Sequence, residues 1–386
     1  MSNYRILNKK IKEHFGQYKQ ALVLIGARQV GKTTLLQNIY AEALYLTVDN
    51  ENIRRQLETY NIETYKYLFA GKKNIILDEV HLLSEPGRAL KIIYDQTPDV
   101  QLIATGSSSL HIKNKTSESM AGRKITYHMY PLTFTESLIQ QGIAILKDKN
   151  IIDSILNTPK VTPKLYPQQE MLQNILKFGL YPVTINISDR SHYLKELAND
   201  AIFKDIVDLN LIEDRGKALQ LLKLLAHQIG NIINYEELSR KLSLDRRTVE
   251  RYIEIFEQSF ILYRLYPFSK DRRNEIGKSP KIYFWDLGLR NALINNFEDI
   301  NIRGDAGALF ESFIITEVKK EVEYLDLNFE VHYWRVKSGY EVDLVLSSHK
   351  ELIGVELKLN KGSITKAFTN RYPEAKTIVI NSENFF

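Results

Sequence analysis

At residues 22–36 the chain reads Leu22-Val-Leu-Ile-Gly26-Ala-Arg-Gln-Val-Gly31-Lys32-Thr33-Thr34-Leu35-Leu36. An apolar, β-branched run comes first, then the pattern G-x-x-x-x-G-K-T, then residues that favour a helix. This is a P-loop in the strand–loop–helix context that it needs. The glycines let successive backbone N–H groups turn towards phosphate oxygens, and the positive end of the following helix adds to their field. The sequence therefore predicts an α/β domain that binds the phosphates of a nucleotide.

The positions of the loop have separate predicted tasks. Lys32 would reach the β- and γ-phosphates, and Thr33 would place its hydroxyl on Mg²⁺. Arg28 offers a further contact, either to a phosphate or to a neighbouring subunit. We therefore expect ATP and Mg²⁺ as cofactors, bound by a loop that consists of Gly26, Ala27, Arg28, Gln29, Val30, Gly31, Lys32, Thr33 and Thr34.

The composition narrows the class of protein. A chain of 386 residues, 44% hydrophobic and 26% charged, allows two or three globular domains. The absence of cysteine excludes disulfides, thiolate zinc sites and cysteine nucleophiles. The first residues lack the apolar core of a signal peptide, and no apolar run approaches the ~18 residues of a membrane span. We expect a cytoplasmic protein with no membrane partner, and the net charge of +5 favours an anionic partner only weakly.

A second acidic motif follows at residues 74–79, which read Asn-Ile-Ile-Leu-Asp78-Glu79. An apolar strand that ends in two carboxylates is common, but behind a P-loop it indicates a Walker B motif. Asp78 would bind Mg²⁺, directly or through water. Glu79 would orient and polarise the water that attacks the γ-phosphate.

Two later segments make the pattern more specific, Met120-Ala-Gly-Arg123 and Pro131-Leu-Thr133-Phe-Thr-Glu136. They accompany the P-loop, the Asp-Glu strand end and a Thr105-Gly-Ser-Ser segment. With these features the chain resembles the AAA+ ATPases of the prokaryotic MNS clade, although Thr133 stands where serine is usual.

The resemblance implies roles for residues outside the P-loop. In AAA+ ATPases the strand beside Walker B ends in a polar residue that contacts the γ-phosphate or the attacking water. Thr105 and Ser107 are the candidates, and a plain Gly-Ser turn is the alternative. Arg123 would be an arginine finger that completes a neighbour's site, where such a residue is worth orders of magnitude in rate. The resemblance thus implies a homo-oligomer, most simply a hexameric ring, while a solvated arginine is the alternative for Arg123.

The middle of the chain predicts a winged helix-turn-helix. Amphipathic helices over 217–230, 234–242 and 245–258 follow one another with a tight turn before the third, which is the helix-turn-helix order. Asn234 is the expected N-cap of the second helix, with Glu237 three residues later. An alternating strand, a polar tip and a returning strand at 281–285 would form the wing. DNA phosphates would meet Arg246, Arg247, Arg251, Lys270, Arg272, Arg273 and Lys278. The alternative is a scaffold that only packs domains together, which interspersed acidic residues favour.

The C-terminal region carries a pattern of carboxylates and lysine. Glu311 lies near the start of a predicted helix, Asp343 lies on one predicted strand, and Glu356 and Lys358 share one face of the next. Asp343 and Glu356 would bind Mg²⁺ through oxygen. Lys358 would orient a water nucleophile or stabilise the charge that develops on the phosphate.

This D…E-x-K pattern, preceded by a helical glutamate, resembles the PD-(D/E)xK restriction-endonuclease-like fold, with Val342 in place of the proline. The region also resembles the uncharacterised domain that accompanies these ATPases, to which the segment Tyr283-Phe-Trp-Asp-Leu-Gly-Leu forms the link. The resemblance implies that Glu311, Asp343 and Glu356 are metal ligands and that Lys358 is catalytic. Such domains are also retained as DNA-binding modules, so cleavage stays open at this point.

Together these patterns predict an α/β P-loop NTPase of the AAA+ type with a helical lid, a winged helix-turn-helix and a C-terminal α/β restriction-endonuclease-like domain. The predicted bounds are 1–140 for the ATPase core, 141–212 for the lid and connector, 213–290 for the winged helix, and 291–386 for the nuclease-like domain. We expect ATP hydrolysis to drive remodelling of, or translocation on, branched or foreign DNA. The alternative is a nucleotide-gated switch that binds DNA or a protein partner and never cuts.

Overall fold

The computed structural model describes residues 4–106, 120–143, 149–157, 167–207, 212–269, 279–360 and 362–386. The chain folds into two compact units. The first contains Ser2–Pro131 with Gln258–Phe260, and the second contains Leu132–Glu257 with Ile261–Phe386. Across the described ranges, no helix combines the length and the apolar character that crossing a bilayer would require.

The first unit is built on a parallel sheet. Its strands are β1 (Ala21–Ile25), β2 (Leu44–Thr47), β3 (Asn74–Asp78), β4 (Gln101–Gly106) and β5 (Lys124–His128), in the order β2-β3-β4-β1-β5. Its helices are α1 (Leu7–Gln17), α2 (Lys32–Ile39), α3 (Glu51–Leu57), α4 (Ile62–Phe69) and α5 (Pro86–Gln96).

The central strands of this sheet are covered on both faces. Every residue of β1 is buried, which explains its uninterrupted apolar sequence. All registered strand pairs are parallel, so the C-terminal ends of β1, β3 and β4 meet at one edge. The P-loop, the Walker B carboxylates and Thr105 follow these ends. The predicted P-loop NTPase fold is therefore confirmed.

The second unit begins with helices. They are α6 (Phe134–Gln140), α7 (Ile151–Leu156), α8 (Gln168–Phe178), α9 (Arg190–Val207), α10 (Arg215–His227), α11 (Tyr235–Leu242) and α12 (Arg246–Gln258). An antiparallel hairpin of β6 (Leu262–Leu265) and β7 (Lys281–Phe284) follows, and then α13 (Leu287–Leu293).

The local predictions for α11 and α12 are confirmed. The Asn234 side chain accepts a hydrogen bond from the backbone N–H of Glu237 at 3.1 Å, which caps α11. Val249, Ile253 and Phe256 form the buried face of α12. The tip of the hairpin, residues 270–278, lies outside the described residues.

A mixed sheet ends the chain. Helix α14 (Ala306–Tyr324) precedes β8 (Glu330–Arg335), β9 (Glu341–Ser347) and β10 (Leu352–Leu357), and α15 (Lys366–Arg371) leads to β11 (Lys376–Ile380). The sheet order is β11-β10-β9-β8, with β8, β9 and β10 antiparallel and β11 parallel to β10. Trp334, Val342, Val345, Phe368 and Tyr372 pack into its core.

Buried carboxylates of α14 accept hydrogen bonds from the N-terminal backbone N–H groups of α6 and α7, the first helices of the second unit. Glu317 accepts from the backbone N–H of Phe134 at 2.6 Å, and Glu321 accepts from Ile151 and Ile152 at 3.0 and 2.7 Å. Both are ionisable groups at helix N-termini, where negative charge is favourable. Burial nevertheless raises the pKa of Glu317 and raises that of Glu321 further. Residues 132–140 therefore belong to the compact unit of α14, and the predicted division into four segments stays a prediction.

Candidate nucleotide site and carboxylate centre

The P-loop depends on backbone conformations and contacts that its glycines permit. Gly31, at φ +97°, immediately precedes helix α2, and Gln29 also has a positive φ of 60°. A Cβ atom on Gly26 would lie 2.0 Å from the carbonyl oxygen of Met129, so no side chain fits there. Lys32 Nζ donates to the carbonyl oxygens of Gly26 and Ala27, both at 2.9 Å. The loop thus holds the lysine ammonium through neutral carbonyl groups.

Asp78 gathers hydroxyl groups from three separate elements. Its Oδ2 accepts from Thr33 Oγ1 at 3.1 Å and from the hydroxyl of Tyr45, and its Oδ1 accepts from Thr105 Oγ1. Burial raises the pKa of Asp78, while the hydrogen bonds from Thr105 and Thr33 oppose the rise. A hydroxyl and a carboxylate in contact form an oxygen donor set of the kind that Mg²⁺ prefers. The side chains of Thr33 and Asp78 therefore fit the ion that a P-loop site requires.

Glu79 adopts an unusual backbone conformation. Its φ is +58°, which a non-glycine residue seldom adopts outside turns and functional sites. Its backbone N–H donates to Thr105 Oγ1 at 3.1 Å, and its Oε2 lies 3.0 Å from His81 Nδ1. Burial favours the neutral acid, but the contact with His81 and the charge of Lys32 outweigh it and lower the pKa of Glu79 to about 2. The carboxylate is therefore ionised at neutral pH.

Thr105 is the penultimate residue of β4, the strand next to Walker B, and its side chain is fully buried. β4 pairs with both β1 and β3, and this places Thr105 beside Asp78 and Glu79. Ser107, the other candidate for this role, lies outside the described residues.

The remaining P-loop residues differ in their surroundings. The positive charge of Arg28 contributes to the lowered pKa of Glu79, so Arg28 interacts electrostatically with this Walker B carboxylate. The exposed Thr34 lies in the first turn of α2, and Val30 is buried.

Arg123 lies at the other edge of the sheet. It directly precedes β5, where Lys124 pairs with Ala21 at the start of β1, whereas the P-loop follows the end of β1. A five-residue strand at ~3.3 Å per residue separates the two by about 16 Å. Arg123 Nε contacts Asp95 Oδ1 at 2.7 Å, and its side chain is partly exposed. Arg123 is therefore remote from the nucleotide site of its own subunit.

The C-terminal sheet brings Asp343, Glu356 and Lys358 together. The antiparallel register pairs Val355 with Leu344, so Asp343 and Glu356 face each other at the next position. Lys358 Nζ lies 2.8 Å from Glu356 Oε1 and 3.3 Å from Asp343 Oδ2. The other oxygen of Glu356, Oε2, is buried and accepts no hydrogen bond from the described residues.

Glu311 joins the same centre, but other groups surround it. Lys281 Nζ lies 3.1 Å from Glu311 Oε1 and 2.5 Å from Glu341 Oε1. Tyr283 donates its hydroxyl to Glu311 Oε1 at 2.6 Å. Burial raises the pKa of Glu311, the ammonium of Lys281 opposes the rise, and the charge of Asp343 adds to it. The resulting carboxylate centre comprises Glu311, Glu341, Asp343, Glu356, Lys281 and Lys358.

Two carboxylates of this centre fit a magnesium ion better than three. Among the described residues, no three Asp, Glu or His side chains form a ready-made metal site. Mg²⁺ usually keeps several waters and needs only one or two carboxylates. Asp343 and Glu356 meet that need, and Glu356 Oε2, which has no partner in the part of the chain that the structure describes, could bind a cation.

The arginines of α12 already contact carboxylates. Arg246 pairs with Glu236 at 3.0 Å and with Glu250 at 2.8 Å, and Arg251 pairs with Glu213 at 3.1 Å. Such exposed pairs are weak, so a phosphate could replace these carboxylates at low cost. Arg247 is exposed next to them. The remaining predicted phosphate contacts lie outside the described residues, namely Lys270, Arg272, Arg273 and Lys278.

Sequence reasoning missed several side chains at these two sites. Tyr45 reaches Asp78 because β2 pairs with β3, and His81 lies two residues after Glu79. The nearness of His81 in sequence was a usable signal, whereas the contact of Tyr45 required the strand order. Lys281 and Tyr283 were interpreted only as strand residues of the wing. Their period-two spacing, with a lysine in an otherwise apolar strand, was the signal for a shared buried face.

Comparison with known protein families divides the chain into three parts. Residues 18–138 match the family described as AAA domain, and with the observed sheet and P-loop this identifies an AAA-type P-loop domain. Residues 169–300 match "Domain of unknown function (DUF8612)", and residues 306–385 match "Domain of unknown function (DUF4143)". The second of these families covers the predicted lid from residue 169 onward and the predicted winged helix, and the third spans α14 and the mixed sheet.

Relatives of similar length exist in archaea and bacteria. An uncharacterised protein of Methanocaldococcus jannaschii is 28% identical, over 99% of this chain and 85% of the relative. An uncharacterised protein of Haemophilus influenzae is 23% identical, over 87% of this chain and 92% of the relative.

Solved structures are similar at a lower level. The Walker-type ATPase PABY2304 of Pyrococcus abyssi is 12% identical with a TM-score of 0.46, over 74% of this chain and 94% of that one. AMPPCP-bound DnaA from Aquifex aeolicus is 16% identical with a TM-score of 0.28, over 65% and 86%.

Proposed function

We propose that this protein is an AAA+ ATPase of the MNS type that hydrolyses ATP and uses the energy to remodel, or translocate on, DNA. The observation that carries the proposal is the convergence of Lys32, Thr33, Asp78, Glu79 and Thr105 at one edge of the parallel sheet. In a P-loop enzyme these side-chain types bind the phosphates, hold Mg²⁺ and orient water. We place this activity in the cytoplasm.

The chain's own residues support a hydrolytic step. The Lys32 ammonium donates to two carbonyl groups, which are neutral, and phosphate oxygens, which carry charge, can compete with them for it. The ionised Glu79 can accept a hydrogen bond from the attacking water and orient it. Thr105 fixes the Glu79 backbone and the Asp78 carboxylate relative to each other. Mg²⁺ bound at Thr33 and Asp78 would neutralise phosphate charge.

The position of Arg123 supports an assembled enzyme. Because Arg123 lies about a strand's length from its own P-loop, it would act as an arginine finger only in a neighbouring subunit. A closed ring satisfies this requirement for every subunit at once, since each subunit gives one arginine and receives another. A hexamer is the ring that we propose.

DNA contact is proposed for the second unit. The exposed arginines of α12 would meet phosphates, and the carboxylate centre would hold a divalent cation at which Lys358 stabilises charge on a phosphate. Bound there, Mg²⁺ would lower the pKa of a water molecule and neutralise phosphate charge. Metal-dependent cleavage of DNA by this centre is the further step of the proposal.

A second candidate function is a nucleotide-gated switch that binds DNA or a protein partner without cutting. The buried ammonium of Lys281 within the carboxylate centre favours it, because part of the negative charge needed to bind metal is already neutralised. In that case the C-terminal centre would be a binding surface, and only the nucleotide site would be catalytic.

One experiment separates the two functions. ATP turnover of the full chain is measured with single-stranded, duplex and four-way-junction DNA in Mg²⁺, and DNA length is determined from the same tubes. Stimulated turnover together with cleavage that Lys358→Ala abolishes supports the motor with a nuclease. Turnover that no DNA changes, with every strand intact, favours the switch. An absence of ATP turnover under all conditions contradicts both ATPase proposals.

A further inference from the structure

The lysine of β7 is buried inside the carboxylate centre. Lys281 is 3% exposed, and its ammonium lies between Glu311 and Glu341. The ring of Tyr333 lies 5.4 Å from the same ammonium, which adds a cation–π contact on another side. This ammonium is therefore fixed by its surroundings.

The other lysine of the centre is in a different position. The side chain of Lys358 is 44% exposed and contacts Asp343 and Glu356 from the outer side. The centre thus has an inner half, in which Lys281 and Tyr283 serve Glu311, and an outer half, in which Lys358 serves Asp343 and Glu356.

The two halves differ in whether a buried carboxylate oxygen lacks a hydrogen-bond partner among the described residues. Oε1 of Glu311 already accepts from Lys281 and from Tyr283, at 3.1 and 2.6 Å. Oε2 of Glu356, by contrast, is buried and has no partner among the described residues, although only 8% of that residue is exposed. A buried carboxylate oxygen without a donor is costly, and a cation would remove the cost.

We infer that Lys281 is a fixed internal cation that neutralises Glu311, so that a divalent ion at this centre is bound by Asp343 and Glu356 and not by Glu311. The inference deepens the proposed function, because it rests on the proposed divalent-ion site and names its ligands. If Glu311 also bound the ion, two positive charges would share one carboxylate at short range, where their repulsion is strong.

The experiment measures Mn²⁺ binding to the nucleotide-free full chain by the EPR signal of free Mn²⁺. All variants carry Asp78→Asn, so that the P-loop site does not contribute. In this background Glu311→Gln leaves the charge of Lys281 less neutralised and removes no ligand, so it should weaken Mn²⁺ binding by less than tenfold. Lys281→Met should raise it at least tenfold, because Glu311 then becomes an additional anionic ligand. Lys281→Met with Glu311→Gln should return it to within about threefold of the parent.

Two controls accompany the series. Lys376→Met removes an exposed lysine that pairs with Glu351 in the same sheet, and it should leave Mn²⁺ affinity unchanged. Asp343→Asn should weaken binding at least tenfold. Circular dichroism checks that each variant is folded. If Lys281→Met alone fails to fold, the double variant decides whether Glu311 is a ligand, because it removes the charge of Glu311 together with that of Lys281 and leaves Glu341, which is partly exposed, in contact with Arg335.

The outcomes distinguish this inference from the proposed function. A tenfold loss on Glu311→Gln, or unchanged affinity in a folded Lys281→Met, overturns the role of Lys281. Binding that Asp343→Asn leaves unchanged overturns the proposed metal centre itself. Mn²⁺ binding that appears only in Lys281→Met supports the internal cation and contradicts a metal-dependent role of the natural centre.

Discussion

The nucleotide site and the carboxylate centre both place lysines beside acidic side chains, but they hold these lysines differently. Lys32 donates to two neutral carbonyl groups of its own loop, whereas Lys281 contacts two carboxylates from other elements. We therefore expect a phosphate to attract Lys32 away from these carbonyl groups, and we infer that Lys281 stays with its carboxylates as a counter-ion. The groups that a buried lysine contacts, more than the lysine itself, would then decide whether its ammonium is available to a ligand.

The two sites also differ in whether a single molecule supplies all of their predicted charged residues. The carboxylate centre has both of its lysines within one unit, whereas Arg123 lies at the wrong edge of the sheet to serve its own nucleotide site. The nucleotide site would then need a neighbouring molecule.

The largest expected effect tests whether the nucleotide site needs Arg123 from a neighbouring subunit. Arg123→Ala should reduce ATP turnover by about 10³-fold or more, because an arginine finger is worth that much in rate, while ATP affinity stays the same. Turnover is measured alongside Arg55→Ala, which removes an exposed arginine paired with Glu51 in the same unit. Mixing Arg123→Ala with Glu79→Gln subunits should restore part of the activity, since each supplies what the other lacks. Full turnover by Arg123→Ala alone would show that the site is complete within one subunit.

The next effect concerns the carboxylate that the nucleotide site keeps ionised. Glu79→Gln should lower ATP turnover by about 10²- to 10⁴-fold, the usual contribution of a positioned general base. Nucleotide binding, measured by titration calorimetry, should persist because Lys32 and the loop are intact. Asp49→Asn is the control, since Asp49 is an exposed carboxylate of the same unit. Loss of binding instead of turnover would assign Glu79 to the binding of nucleotide.

The contrast between the two lysines predicts a difference in stability. Lys281→Met leaves buried carboxylates without their counter-charge, which should cost about 3–5 kcal/mol of the free energy of unfolding. Lys32→Met removes hydrogen bonds to two neutral carbonyl groups and a favourable charge near Glu79, so it should cost less, on the order of 1 kcal/mol. Urea unfolding of the full chain measures both, and adding Glu311→Gln to Lys281→Met should recover much of the loss. An equal loss of unfolding free energy in Lys32→Met and Lys281→Met would contradict this difference between the two lysines.

The smallest expected effect concerns the pH dependence of the free energy of unfolding, to which Glu79 and Glu356 contribute with opposite signs. The pKa of Glu79 is lowered to about 2, so its ionised form stabilises the fold above the unfolded value of 4.5, and this contribution is lost as pH falls towards 2. Burial raises the pKa of Glu356, so the folded state binds more protons than the unfolded state just above pH 4.5, and its contribution decreases as pH rises there. Urea unfolding across pH, comparing the parent with Glu79→Gln and with Glu356→Gln, should show these opposite trends. Parallel pH profiles for the parent and both variants would contradict them.

Much of the nucleotide site was predictable because its residues lie within short motifs. The P-loop and the Walker B strand each define a strand and the residues that follow it, and parallel strands place those residues at one edge. The hydroxyl of Tyr45 and the imidazole of His81 were not predicted. The contact of Tyr45 follows from the pairing of β2 with β3, which no local pattern specifies.

The carboxylate centre was predictable in its outer half and in Glu311, but its inner lysine, Lys281, was not. Period-two alternation put Glu356 and Lys358 on one face, and the structure brings Asp343 next to them. The role of Lys281 was missed because β7 lies far from β9 and β10 in the chain and belongs to a separate hairpin. The contact depends on how that hairpin packs against α14, and side-chain periodicity does not contain this information.

The sequence by itself determined the P-loop fold, the predicted nucleotide ligands and the order of the C-terminal carboxylates, because hydrogen bonding and hydrophobic periodicity are local properties of the chain. Only the tertiary structure decided which charges meet. It placed Arg123 away from its own site, His81 on Glu79, and Lys281 on Glu311. The physical reason is that electrostatic interactions depend steeply on distance and burial, and both are set by the packing of elements that are distant in sequence.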